Sequence, residues 1–215
     1  MAKAAIFDMD GVVLDSEPLY YETYRSILSK AGVHRTPQEL GIKIGGTLDG
    51  ERNYLKHKFP AMADWDKVYT KYTQAINDCA SKAPLFGGAM QLVTAVSNVV
   101  PLALCSNSPR SAVDAALSSN NLSSSFRVTV SRDDVNKGKP DPEPYAKACR
   151  LLKTHPKDCV ALEDSAPGIA SAKAAGCKTI LVNSNHYSKL EVEQIGADLA
   201  VETLKQINKK TILEI

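Results

Sequence analysis

Two aspartates separated by one residue end the first apolar run of the chain, within Ile6-Phe7-Asp8-Met9-Asp10-Gly11. Short polar residues of this kind often do no more than form a turn or cap a helix. The alternative is that the two negative charges at the end of an apolar strand have a chemical role. The other polar clusters of the chain decide between these two interpretations.

Three further polar clusters come after apolar runs. Ser106-Asn107-Ser108 follows Leu102-Ala103-Leu104, Lys137-Gly138-Lys139-Pro140 comes after Val128-Thr129-Val130, and Glu163-Asp164-Ser165 follows Val160-Ala161-Leu162. In open α/β sheets, ligands bind outside the carboxyl ends of the strands. We therefore expect the four clusters to meet at one edge of a sheet, which turn chemistry alone does not explain.

That edge would contain up to four negative charges, from Asp8, Asp10, Glu163 and Asp164. Like charges at such short distances cost free energy or raise pKa values. A magnesium ion resolves the conflict, because Mg²⁺ prefers carboxylate and water oxygens and leaves room for a phosphate group. The carboxylates therefore predict a Mg²⁺ site.

Two other residues of the clusters are suited to a phosphate group. Ser106 is expected to start a helix, where a hydroxyl and free backbone N–H groups favour an anion. Lys139 offers a compact positive charge for phosphate oxygens. Together with the carboxylates, these residues predict a site for Mg²⁺ and phosphate.

A sheet is needed to position these clusters. From about residue 84 onward, short apolar runs alternate with helical patterns that begin near a proline, at 109–117, 142–152 and 167–175. Two later runs, Ile180-Leu181-Val182 and Leu199-Ala200-Val201, would extend the sheet. This alternation predicts an α/β fold with a Rossmann-like parallel sheet and helices on both faces.

Residues 16–82 have a different pattern. Their apolar residues recur at spacings of three and four, which is typical of amphipathic helices, and no segment is a convincing strand. We therefore predict a catalytic core formed by residues 1–15 and 83–215, interrupted by a helical domain at residues 16–82.

Composition and charge exclude several classes of partner. The net charge of +2 comes from scattered lysines and arginines, so no nucleic acid partner is expected. No apolar run approaches the roughly 18 residues of a membrane span, and the N-terminus has no signal-peptide pattern. Five cysteines without a C-x-x-C pair, and four isolated histidines, favour a reduced setting and no zinc site. A cytoplasmic monomer is expected.

The four clusters resemble the four motifs of the haloacid dehalogenase superfamily. Asp8-Met9-Asp10-Gly11-Val12 matches the first motif, D-x-D-G-[TV], and Ser106 matches the Ser/Thr of the second. Lys139 precedes a proline, as the lysine of the third motif does, whereas Lys137 does not. Glu163-Asp164-Ser165-x-x-Gly168-Ile169 matches the acidic fourth motif. The resemblance covers residues 3 to about 183 and is nearest to the subgroup of β-phosphoglucomutase and small sugar-phosphate and phosphoglycolate phosphatases.

The resemblance implies a Mg²⁺-dependent phosphotransferase with an aspartyl-phosphate intermediate. Asp8 would be the nucleophile, and Asp10 would protonate the leaving alcohol and then activate water. Asp8, Asp10 and Asp164 would hold the metal, with Glu163 as a further ligand or as a partner of the ligands. Three residues would hold the phosphoryl group: Ser106, Asn107 and Lys139.

The helical insert resembles the superfamily's small helical cap, which selects the substrate. The loop around Gly45 resembles the specificity loop of that cap, and Glu17 is a candidate substrate contact. Tyr20 stands where β-phosphoglucomutase has a histidine that gates phosphotransfer. In place of the mutase's phosphate-gripping arginine the chain has Thr47-Leu48-Asp49, although Arg52 is a possible substitute.

These differences favour a phosphatase that acts on a small phosphorylated metabolite, with a β-phosphoglucomutase-type phosphotransferase as the alternative. A non-enzymatic phospho-aspartate signalling module is a third alternative. Receiver domains of that kind lack the D-x-D arrangement and have no inserted cap. The presence of both Asp8 and Asp10 therefore favours an enzyme.

Overall fold

Six short apolar segments form one fully parallel sheet in the order β3-β2-β1-β4-β5-β6. The structure, a computed structural model, describes residues 1–41 and 48–215, although not the side chains of residues 48, 49 and 184. The strands are β1 (Ala4–Phe7), β2 (Leu102–Cys105), β3 (Val128–Val130), β4 (Cys159–Glu163), β5 (Lys178–Leu181) and β6 (Leu199–Ala200). The chain adds strands first on one side of β1 and then on the other, which leaves a ligand crevice beside β1. The expected Rossmann-like α/β fold is confirmed.

Nine α-helices lie within the described residues. They are α1 (Glu17–Lys30), α2 (Leu48–Lys58), α3 (Trp65–Lys82), α4 (Ala89–Ser97), α5 (Arg110–Ser119), α6 (Glu143–Leu152), α7 (Ala166–Ala175), α8 (Lys189–Ile195) and α9 (Lys209–Glu214). The expectation that Ser106 starts a helix is wrong: α5 begins only at Arg110, after Pro109. None of these helices is long and apolar enough to cross a membrane.

Successive residues of the strands contribute to opposite faces of the sheet, because side chains alternate along a strand. In β1, Ala5 and Phe7 belong to the apolar cluster that α4, α5 and α9 cover. Ala4 and Ile6 belong to the cluster under α6 and α7. Both faces are therefore buried, and polar side chains concentrate where the strands end.

The insert between β1 and β2 has an apolar cluster of its own. Tyr24 of α1 packs there with Trp65 and Tyr69 of α3. The second half of α3 leaves this cluster, because Ile76 and Ala80 belong to the apolar cluster of the sheet and α3 packs along α5. One helix thus connects the insert's interior with that of the core.

The insert leaves and re-enters the core at one place. Leu14 and Leu85 form an antiparallel bridge. The Asp15 backbone N–H donates to the Pro84 carbonyl at 2.9 Å, and the Phe86 N–H donates to the Val13 carbonyl at 2.8 Å. The two connecting segments are therefore held side by side.

Candidate active site

Three carboxylates gather at the carboxyl ends of the two central strands. Asp8 directly follows β1, and its N–H donates to the Leu162 carbonyl of β4 at 2.9 Å. Glu163 ends β4 and Asp164 follows it. One ligand oxygen from each of Asp8, Glu163 and Asp164 lies within 4.8 Å of the other two. Burial, followed by the charge of Glu163, raises the pKa of Asp8 to about 8.

Lys139 lies buried between two of these carboxylates. Its Nζ is 2.6 Å from Asp8 Oδ1, 2.6 Å from Glu163 Oε1 and 2.9 Å from the Cys105 carbonyl. Burial alone would lower the pKa of Lys139, but the charges of Asp8 and Glu163 raise it above its ordinary value. The lysine is therefore a fixed cation, and Lys137 is 75% exposed at the surface.

Glu163 is fully buried and its oxygens are already engaged. Oε1 accepts hydrogen bonds from Lys139 and from the Tyr145 hydroxyl at 2.7 Å, and Oε2 accepts one from Ser165 at 3.1 Å. Gly168 leaves the room that this side chain fills, because a Cβ there would lie 1.9 Å from the carboxyl carbon of Glu163. The glutamate is thus held in one orientation facing the lysine.

Asp164 is held next to the first motif by a second glycine. Gly11 has φ +77°, and a Cβ on it would lie 1.9 Å from Asp164 Oδ2. The Asn183 side-chain amide donates to the Gly11 carbonyl at 2.6 Å, which fixes this turn. Only glycine allows both the backbone conformation and the close approach.

The Asp10 carboxylate accepts hydrogen bonds from serine hydroxyls. Ser16 donates to Oδ1 at 2.6 Å, and Ser108 donates to Oδ2 at 2.9 Å. Ser106 Oγ lies 3.4 Å from the same Oδ2. The serine hydroxyls therefore orient Asp10. It is not among the three carboxylates whose oxygens lie within 4.8 Å of one another, but its charge contributes to the raised pKa values of Asp8 and Asp164.

Ser106 and Asn107, in the loop after β2, lie beside these carboxylates and Lys139 and form with them the floor of the site. Ser106 is buried, and its Oγ accepts a hydrogen bond from the Ser108 N–H at 3.0 Å. The Asn107 side chain accepts from the Lys139 backbone N–H at 2.9 Å and donates to the Lys139 carbonyl at 3.4 Å. The side chain of Asn107 thus ties the loop after β2 to the lysine.

A pocket of 310 Å³ lies between this floor and the insert. The insert contributes Glu17 and Tyr20 from α1, Glu51 from α2 and Tyr72 from α3. The Tyr20 hydroxyl is buried without a hydrogen-bond partner in the described part of the chain. Burial, and then the negative charge of Asp10, raise the pKa of Tyr20. The volume suits a small ligand.

Two expectations from the sequence concern insert residues that are not in the described lining of this pocket. Gly45 and Thr47 lie outside the described residues. Arg52 lies with its Nε 3.8 Å from Asp66, a residue of α3. It is absent from the described lining of the pocket.

Sequence reasoning did not assign several residues that the structure places at the site. Ser108 belonged to a recognised cluster, and its hydroxyl position could have suggested a contact to Asp10. Tyr145 and Asn183 lie outside every motif, and they reach the site only through the packing of α6 and the turn after β5. Glu51 carries no recognisable spacing in the sequence.

The chain belongs to the haloacid dehalogenase-like hydrolase family, whose sequence profile matches residues 5–182. It is 33% identical over 185 residues to a phosphorylated carbohydrates phosphatase of Thermotoga maritima, covering 83% of each chain. It is 28% identical to a bifunctional riboflavin kinase/FMN phosphatase of Arabidopsis thaliana, covering 86% of this chain but only 49% of that protein.

Solved structures agree with this family assignment. A crystal structure of a putative beta-phosphoglucomutase from Thermotoga maritima is 27% identical, with a TM-score of 0.74, covering 95% of this chain and 96% of that one. Family membership, together with the phosphatase relatives, identifies the chain as a hydrolase that cleaves phosphate esters. The expectation of an enzyme is confirmed.

Proposed function

We propose that this chain is a Mg²⁺-dependent phosphatase that hydrolyses a small phosphorylated metabolite, such as a sugar phosphate, through an aspartyl-phosphate on Asp8. One observation carries the proposal. Asp8 lies at the floor of a 310 Å³ pocket with its carboxylate 2.6 Å from a buried, permanently charged lysine. The relatives that act on phosphorylated carbohydrates support the substrate class.

The proposed Mg²⁺ fits the residues present. Asp8 and Asp164 offer hard carboxylate oxygens. Burial, and then the charges of neighbouring carboxylates, raise the pKa values of both groups, and a bound Mg²⁺ would favour their ionised forms. Asp8, Asp164 and the Asp10 backbone carbonyl would hold the ion. Glu163 would instead position Lys139, since both its oxygens are engaged. When bound, Mg²⁺ would neutralise phosphate charge, so that a carboxylate can approach phosphorus.

The proposed hydrolysis has two displacement steps at phosphorus. In the first, an Asp8 oxygen bonds to phosphorus, the ester P–O bond breaks, and protonated Asp10 gives its proton to the leaving alcohol. In the second, Asp10 takes a proton from water, the water oxygen bonds to phosphorus, and the P–O bond to Asp8 breaks. Inorganic phosphate and the original side chains result.

The phosphoryl group needs partners for the charge spread over its oxygens. Lys139 supplies a cation, and Ser106 supplies a hydroxyl next to it. The Asn107 side chain is engaged with the backbone of Lys139, so its contribution to phosphate binding would come from its backbone N–H. Each of these groups is held in place before the substrate arrives.

We further propose that residues 16–82 act as the cap, and residues 1–15 with 83–215 as the core. The separate apolar cluster of the insert supports this division. Ala83 and Pro84, beside Ser16, would form the hinge, because the two connections lie together there. Opening and closing about that point would admit substrate and exclude bulk water during transfer.

A β-phosphoglucomutase-type phosphotransferase is the second candidate, because a solved structure with that description is similar to this chain. Such an enzyme returns the phosphoryl group to a second hydroxyl rather than to water. The two candidates are separated by their product. Inorganic phosphate released in proportion to the ester consumed supports the phosphatase, and a rearranged sugar phosphate supports the mutase.

The test is phosphate release from a panel of sugar, polyol and nucleoside monophosphates. Activity should vanish in a chelator, return with Mg²⁺ and return little with Ca²⁺, because the looser coordination of Ca²⁺ misplaces the nucleophile. Asp8→Asn should give no phosphoenzyme. Full turnover in chelator, or turnover by Asp8→Asn, would refute the mechanism.

A further inference from the structure

Glu51 places a carboxylate on the insert side of the pocket, and no cation of the described residues pairs with it. Its Oε2 accepts a hydrogen bond from the Tyr69 hydroxyl at 3.2 Å, and Tyr24 donates to Tyr69 at 2.8 Å. Within the part of the chain that the structure describes, no lysine, arginine or histidine forms an ion pair with Glu51. Burial raises the pKa of Glu51 to about 7.

Within the described lining, the lysine charge lies at the other end of the pocket. Among the described lining residues Lys139 is the only lysine or arginine, and it contacts Asp8 and Glu163 at the floor. Glu17 adds a second carboxylate to the lining, from the start of α1. A ligand whose phosphate occupies the floor would therefore meet negative charge at its far end.

The rest of the insert wall consists of aromatic rings and hydroxyl groups. Tyr20, Tyr24 and Tyr72 line it together with Ile76. The buried Tyr20 hydroxyl has no hydrogen-bond partner among the described residues, so it can still donate or accept. Such a wall offers hydrogen bonds to hydroxyl groups and apolar contact to a carbon chain.

We propose that Glu51 is a specificity-determining residue that accepts hydrogen bonds from an uncharged, polyhydroxylated substrate tail and rejects substrates with a second anionic group there. This inference rests on the proposed phosphatase function of the same site. The rejection follows because a phosphate or carboxylate near Glu51 would be desolvated beside a like charge with no described cation to balance it.

Two hexose derivatives test the proposal, because they differ only at the end far from the phosphate. Sorbitol 6-phosphate ends in a hydroxymethyl group, and 6-phosphogluconate ends in a carboxylate. At pH 8, above the Glu51 pKa of about 7, the carboxylate is ionised, and the unmodified enzyme should favour the polyol in kcat/KM by about tenfold or more, the size of a like-charge repulsion over several ångströms. Glu51→Gln keeps the shape, removes the charge and should reduce that ratio to about threefold or less.

Glu22→Gln is the matched control, because Glu22 is an exposed residue of α1 that pairs with Arg25. It removes the same charge from the insert and should leave the ratio unchanged. A Glu51→Gln ratio equal to that of the unmodified enzyme would overturn the proposal, and so would an equal shift in Glu22→Gln. Preference for the amine analogue 1-amino-1-deoxysorbitol 6-phosphate over sorbitol 6-phosphate, lost in Glu51→Gln, would also overturn it in favour of cation recognition.

Binding measurements separate this proposal from the proposed catalysis. Dissociation constants of the same two compounds, measured by calorimetry in an Asp8→Asn background with and without Glu51→Gln, need no turnover. Failure to release phosphate from any monoester refutes the proposed phosphatase function, but the ratio of the two dissociation constants can still be measured. An unchanged binding ratio refutes the role of Glu51 even in an active enzyme.

Discussion

The two walls of the pocket differ in whether their polar groups already have hydrogen-bond or ion-pair partners. On the core wall, Lys139 contacts Asp8 and Glu163, and Asp10 accepts from serine hydroxyls. On the insert wall, the described residues leave the Tyr20 hydroxyl without a partner and Glu51 without a cation. On the core wall Lys139, Glu163 and Asp10 already have partners before any ligand binds, whereas the insert wall keeps polar groups available.

Under the proposed function, this difference separates the residues that carry out the chemistry from those that select the substrate. Transition-state stabilisation requires dipoles and charges that are already oriented, because reorganising them during the reaction costs free energy. Recognition of a substrate tail requires groups whose hydrogen bonds are completed only by the ligand. Substitutions on the core wall should therefore abolish turnover, whereas substitutions on the insert wall should change which substrates are preferred.

Lys139→Met, on the core wall, should have the largest effect on turnover. Removing the cation leaves Asp8 beside Glu163 uncompensated, and kcat/KM should fall by roughly 10³–10⁵. Phosphate release measures the loss, with circular dichroism to confirm folding. Lys137→Met is the control, because this lysine is 75% exposed and forms only a surface pair with Asp141. Equal activities of the two variants would contradict the assignment of Lys139.

Asp10→Asn should slow hydrolysis of alkyl phosphates by roughly 10²–10⁴ through loss of the proton donor. An aryl phosphate with a good leaving group needs little protonation, so formation of its phosphoenzyme should be much less affected. Single-turnover kinetics with both kinds of ester measures the difference. An identical loss for the two esters would show that Asp10 has no separate role as an acid.

Gly11→Ala should lower kcat/KM by about 10², comparable with the loss of one catalytic hydrogen-bond donor. A methyl group there would displace Asp164. Gly32→Ala is the matched change in the insert, since Gly32 has φ +79° with no atom within 4 Å of the added Cβ. It should cost about 1 kcal/mol of unfolding free energy by backbone strain alone and leave turnover intact. Urea unfolding and phosphate release distinguish the two, and equal turnover would argue against the role of Gly11.

Glu51→Gln should give the smallest effect, a change in stability that depends on pH. The folded-state pKa of Glu51 is raised to about 7, so its stabilising contribution is present below about pH 4.5 and is lost as pH rises through 7. Glutamine should therefore raise the unfolding free energy at pH 8 relative to pH 4.5, by about 1–2 kcal/mol after allowance for partial exposure.

The groups that face Glu51 do not change charge in this pH range. Tyr24, Tyr69 and Tyr72 have pKa values raised first by burial, so they stay neutral. Urea unfolding at the two pH values measures the difference. Glu22→Gln should change stability by under about 0.5 kcal/mol at either pH. A pH-independent effect of Glu51→Gln would show that the carboxylate is neutral or freely hydrated in the folded chain.

The sheet and the gathering of the motifs were predictable because both depend on local patterns. Apolar runs such as Leu102-Ala103-Leu104 became strands, and the clusters that follow them met at one edge, as parallel strands require. The orientation of Asp10 was not predictable. It depends on where three serines from two different loops point, which no spacing records.

In the insert, too, the helices were predictable from the sequence, but their packing partners were not. Spacings of three and four predicted helices, and α1, α2 and α3 confirm them. Those spacings do not say which neighbour covers each face, so the shared packing of α3 on the insert and on α5 was not foreseen. Glu51 lines the pocket from α2, and its sequence neighbours give no sign of this.

Because the two connections of the insert lie side by side at Leu14 and Leu85, the insert can be replaced by another segment without changing the ends of the core to which it is joined. For the core, the insert is a closed loop, and halving or doubling such a loop changes its closure cost by only about 0.6 kcal/mol. Recombination between related genes could therefore replace the insert with one of another length while the sheet still forms. The replacement must bring a helix that covers α5, because Ile76 and Ala80 complete that apolar surface. If the insert selects the substrate, as proposed, a single genetic exchange would change the substrate, provided that the new insert keeps a helix that packs on α5.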